Sequence, residues 1–190
     1  MTDPVEVTMH FRSRFINGLA ALVLAACATT GPDSVRDAEQ VNASGGTRVS
    51  KDAAVFLVEM VDARLMDFEE GKLAAERGTR ADVRDYGQLM MKDQTRLLAQ
   101  LNALAAESGV AVPNTIGAAK RDGLKDLLKT DGEKFDKAFI SSIRIDHERD
   151  VGEFRKATKF SDLAVARFAT ETLPLIESHL AGIKQIDKTS

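Results

Sequence analysis

Two histidines, two carboxylates, one amide and one cysteine are the residues whose types and spacing could do chemistry in this chain. His147 lies one helical turn from Ile143 and from Val151, and His179 one turn from Ile176 and from Ile183. Each histidine therefore belongs to an apolar stripe rather than to a polar face. Asp67 and Glu70 share a helical face with Ala63 and Ala74, and Gln94 falls between Met90 and Leu97. Brought to one level of a helical bundle, these side chains would offer neutral imidazoles, carboxylates and an amide oxygen. That donor set suits Zn²⁺ or another divalent ion, with Gln94 the weakest ligand. The other reading is structural. Buried His147 and His179 would then hold the bundle in register, with Asp67, Gln94 or a backbone carbonyl satisfying their rings. Glu-x-x-His, the helical signature of di-iron carboxylate proteins, occurs nowhere in the chain, which disfavours a standard ferroxidase.

The chemistry of Cys27 is of another kind. It is the sole cysteine, so an internal disulfide and cysteine-rich zinc sites are excluded. It closes the apolar run Phe15–Ala26, which Arg12 and Arg14 precede. The run is shorter than the roughly 20 apolar residues of a bilayer-crossing helix. A basic start, a short apolar centre and small residues before a cut site are the marks of an export signal, with Met1 or Met9 as its first residue. Leu24-Ala25-Ala26-Cys27 resembles the tetrad at which bacterial lipoproteins are cut and acylated. The expectation is a signal over residues 1–26, an acylated Cys27 and a flexible tether over residues 27–49, rich in Thr, Ser, Asn and Gly. Ala28 in place of Asp after the cysteine favours the outer membrane over the inner one. A plain signal peptide with an incidental cysteine is the alternative.

From Ser50 onward the pattern is helical. A first long helix is expected from the Ser50 cap to Gly78, and a second from a Thr79 cap to about Gly109. A third is expected from a Thr130-x-x-Glu133 capping box and a fourth from a Ser161 cap, with Pro174 inside it. A weaker pattern around Leu124, Leu127 and Leu128 suggests a short extra helix in the link between helices two and three. Rods of about 25 residues, each with one apolar stripe, bury those stripes most simply as an antiparallel four-helix bundle over residues 50–187. The long link permits either a ferritin-like crossover or a plain up-and-down order. Glu148, Arg149, Asp150, Glu153 and Arg155 read as a solvated face with local ion pairs.

The segments FDKAFISSIRIDHERDVGEFRKA and FATETLPLIESHL, with EEGKLAAER and VRDYGQLMMKDQ, are similar to the signature of the bacterial DUF4142 family. The resemblance spans about Ala53 to Ile183. It implies a ferritin-like bundle in exported and envelope proteins, with no settled activity. This chain departs from the family at two polar positions: Gln94 stands where the family usually has His, and Asp67 where it usually has Glu.

The functional expectation is an envelope lipoprotein facing the periplasm, with a binding, structural or stress-related role and an unidentified envelope protein as a candidate partner. The alternative is a metal-binding or redox-protective bundle using His147 and His179. A net charge of −3 and 5% aromatic content speak against nucleic-acid binding.

Overall fold

The computed structural model describes residues 33–189. The expected signal, Cys27 and the start of the expected tether lie outside the described residues. Among the described residues six helices follow one another: α1 (Ser34–Ala43), α2 (Lys51–Arg77), α3 (Ala81–Ser108), α4 (Ala118–Leu128), α5 (Gly132–Ala157) and α6 (Leu163–Asp187). No described helix is long and apolar enough to cross a membrane.

Helix ends show how the chain is routed. Ser50 caps α2 as expected, its hydroxyl accepting from the Ala53 amide at 3.3 Å. Asp162, before α6, accepts from the Ser50 amide at 3.0 Å, and the Arg48 amide donates to the Ser108 carbonyl at 2.7 Å. The starts of α2 and α6 and the end of α3 therefore share one end of the bundle. At the other end, Arg77 donates to the Thr130 carbonyl at 2.5 Å and Arg80 to the Ile186 carbonyl at 3.3 Å. Here α2 and α6 finish while α3 and α5 begin. The link between α3 and α5 must run back along the bundle, and α4 lies on that return path. This is the long crossover of a ferritin-like order, and it decides against the plain up-and-down alternative.

Three caps differ from the sequence reading: α6 starts from Asp162 rather than Ser161, with no side-chain cap, and the other two concern α3 and α5. Thr79 does not cap α3. Its hydroxyl and amide donate to the buried Asp136 carboxylate, as does the Arg80 amide, so α5 clamps the turn between α2 and α3. Thr130 turns back to the Leu127 carbonyl at 2.7 Å, leaving Asp131 at the start of α5 with no side-chain cap.

The tether is also corrected. Residues 34–43 form α1, which lies along α2 and against the returning link. Asn42 binds the backbone of Ala111 in both directions, at 2.9 and 2.8 Å, and Ala38 is buried. Gly45 and Gly46 reverse the chain with φ of 105° and 116°, a region that favours glycine.

The core falls into two apolar clusters. One, around Phe56, Leu57, Leu97, Phe154 and Ile176, fills the Ser50 end, and the other, around Met90, Phe135, Phe139, Ile143 and Ile183, fills the opposite end. Buried polar side chains occupy the levels between.

Candidate functional site

α2 and α5 cross antiparallel, and each places polar residues on its inner stripe. Arg64, Asp67 and Glu70 come from α2, while Asp146, His147 and Asp150 come from α5. α3 supplies Tyr86, Asp93 and Gln94, and α6 supplies His179. Of these, Arg64, Gln94, His147 and Asp150 are completely buried. Asp150, expected on a solvated face, is the counter-ion of the Arg64 guanidinium inside the bundle. A charge run reads as surface only while its members point outward, and Asp150 follows His147 at the three-residue step of the inner stripe. Arg64 also pairs with Asp67, Nη2 to Oδ2 at 2.9 Å, without hydrogen-bond alignment.

The two imidazoles meet, with ring centres 5.6 Å apart at an edge-on angle of 63°. Nδ1 of His147 lies 3.0 Å from the Ile143 carbonyl. A carbonyl only accepts, so this nitrogen carries the proton and Nε2 presents a bare lone pair. Nε2 of His179 lies 2.9 Å from Asp93 Oδ2, so that nitrogen donates and Nδ1 is left bare. Neither bare nitrogen has a hydrogen-bond partner, and both are sealed from water. Gln94 is similar: its amide nitrogen reaches only the Met90 sulfur, at 3.8 Å, and its oxygen has no partner. Tyr86 adds a brace between α3 and α6, its hydroxyl donating to the His179 carbonyl at 2.9 Å.

Burial sets the protonation states. It depresses the His147 imidazole to about 4, helped by the nearby Arg64 cation. Burial also lowers His179, although the bond to Asp93 opposes it. Both rings are therefore neutral near pH 7, the form that coordinates metal. Among the carboxylates burial works the other way. It pushes Glu70 up to about 8 against the pull of its bond from Ser142. Asp67 is also raised, by burial first, with Arg64 pulling it down and Asp150 and Asp146 pushing it up.

All five candidate residues thus lie in the interior, but not as one ligand sphere. His147, His179 and Gln94 present unpartnered atoms in the middle of the bundle. Asp67 and Glu70 join instead with Asp146, their oxygens all lying within 4.8 Å of one another. Arg64, Asp93 and Asp146 were not singled out in the sequence. Their signal was available, since Asp93 precedes Gln94 and Asp146 precedes His147, but a charged residue beside a candidate is common on any helix.

Comparison with known proteins agrees with the fold. A solved DUF305 fragment from Deinococcus radiodurans matches with a TM-score of 0.64 at 14% identity, covering 73% of this chain and 96% of its own. No curated protein matches. The profile of a domain of unknown function, DUF4142, matches residues 38–186, and that span starts within α1 and ends at the last turn of α6. The chain belongs to the DUF4142 family.

Proposed function

We propose that this chain is a bacterial envelope lipoprotein, acylated at Cys27 and facing the periplasm from the outer membrane, whose bundle binds a divalent cation through His147 and His179. The anchoring rests on the Leu24-Ala25-Ala26-Cys27 tetrad after a basic and then apolar start. The binding role rests on one observation. Each imidazole spends its N–H on a fixed oxygen and keeps its other nitrogen unpartnered in the dry interior. Metal-binding histidines have this arrangement, because the second acceptor sets the tautomer and the ring angle. Asp93 and the Ile143 carbonyl would be those outer partners, and Gln94 Oε1 a third, weaker donor.

Metal analysis of the full-length chain tests this reading. Stoichiometric Zn²⁺, lost in both His147→Gln and His179→Gln, is the expected result. Absence of metal, with a lower melting temperature in both variants, would instead make the histidines structural. Replacing Cys27 with Ser should release the protein from membranes, and undiminished membrane retention would refute the anchor.

A further inference from the structure

The carboxylates are a separate matter from the imidazoles. Asp67 and Glu70 sit one turn apart on α2, and Asp146 faces them from α5. Oxygens mutually within 4.8 Å fit around one ion at roughly 2.3–2.6 Å from each, the range for Ca²⁺. Ions of that hardness prefer carboxylate oxygen to imidazole nitrogen.

Proximity of acids alone would carry little. Glu70 supplies the second observation. It is 1% exposed, it pairs with no cation among the described residues, and its Oε1 takes the Ser142 hydroxyl at 2.7 Å. Its other oxygen, Oε2, is fully buried with no partner. A buried carboxylate oxygen so placed costs free energy unless something positive meets it. Arg64 is not that partner: its Nη2 meets Asp150 and Asp67, and its Nε and Nη1 reach no acceptor. Asp146 is the member nearest solvent. The Asp146 side chain is 20% exposed against 2% for Asp67, and its ion-pair partner Arg149 is itself half in solvent.

We infer that Asp67, Glu70 and Asp146 form a site for a hard divalent cation, of the Ca²⁺ or Mn²⁺ class, between α2 and α5. It goes beyond the histidine reading, since it uses other ligands and another class of ion. Asp146 is its outer ligand, and an arriving ion takes the place of Arg149 there. Ser142 holds Glu70 in position from the next turn of α5. The bound ion also removes the repulsion among three clustered acids, which protonation, Arg64 and Arg149 otherwise relieve.

Titration of the full-length chain with Mn²⁺, followed by electron paramagnetic resonance with Ca²⁺ as competitor, tests the site. One Mn²⁺ per chain is expected, displaced by Ca²⁺. Glu70→Gln and Asp146→Asn should each weaken it at least about tenfold, while His147→Gln leaves it in place. Asp146 is partly exposed, so its variant reports on binding even where Glu70→Gln disturbs folding. No Mn²⁺ uptake by the wild type overturns the inference, as does uptake that survives both carboxylate substitutions. Zn²⁺ held by the histidines without Mn²⁺ uptake sinks the oxygen site alone. Mn²⁺ uptake without Zn²⁺ sinks the histidine reading alone.

Discussion

Gly87→Ala should destabilise the bundle although alanine is the better helix former. Gly87 on α3 faces Gly71 on α2, and the two helices touch backbone to backbone there. A Cβ at position 87 would lie 2.5 Å from the Gly71 carbonyl oxygen, 2.6 Å from the Ala75 nitrogen and 2.9 Å from the Ala74 Cβ. Two of these three atoms are backbone, so no rotamer change relieves the clash. The helices must separate by about an ångström, which loosens Ala74, Val83 and Met90 together, all fully buried. Overpacking typically costs about 1–3 kcal/mol, and rigid backbone on one side puts this case at the upper end. Replacing glycine in a helix returns about 1 kcal/mol. The net expectation is a loss of about 2 kcal/mol. Gly152→Ala on α5 is the matched control, because an added Cβ there meets nothing within 4 Å. It should gain about 1 kcal/mol, since only propensity acts. Urea unfolding followed by far-UV circular dichroism measures both, with similar m-values for the two variants. A Gly87→Ala protein as stable as the wild type would refute the close-packing argument.

His147 should make the metal-free protein acid-sensitive. Its folded value is about 4 against an ordinary 6.5, so the unfolded chain takes up the proton first as pH falls. The contribution is complete above about pH 6.5 and drains away towards pH 4, by roughly 3 kcal/mol at about 1.4 kcal/mol per pH unit. Unfolding free energies measured with chelator across that window should fall faster for wild type than for His147→Gln, and parallel curves would contradict the assignment. Asp136→Ala should cost about 1–3 kcal/mol, since the amides of Thr79 and Arg80 lose a buried acceptor. Hydrogen exchange at those two amides should accelerate more than at the Ser50 end; unchanged exchange would mean the clamp is not needed.

The inner stripes were legible because 3.6-residue periodicity survives in a chain with few aromatics. Ile140, Ile143, His147, Val151 and Phe154 are all buried as their spacing requires. The crossover was not legible, because apolar spacing says which face is buried and not which end a link returns to. Contacts such as Thr79 with Asp136 settle that, and they join residues 57 apart. α1 was hidden by composition. Its sequence SVRDAEQVNA has only Val35, Ala38 and Val41 at apolar spacing, and Val41 is exposed. Its stability comes from Asn42 binding the link, a partner that local sequence does not reveal. Of the site, the five residue types were legible but their grouping was not. Whether Asp67 faces a histidine or Asp146 depends on the register of α2 against α5, which Arg64 and Asp150 help to fix. Gly71 and Gly87 show the converse. Both lie in segments that carry the family resemblance, and their role here is close packing rather than chemistry.

The docking of α1 also fixes how far the domain can stand from its proposed anchor. A chain free from Cys27 to Ser50 could span about 80 Å when fully extended. With folded structure beginning by Asp33, the longest leash is about 20 Å. An acylated Cys27 would then keep the bundle close to the lipid headgroups.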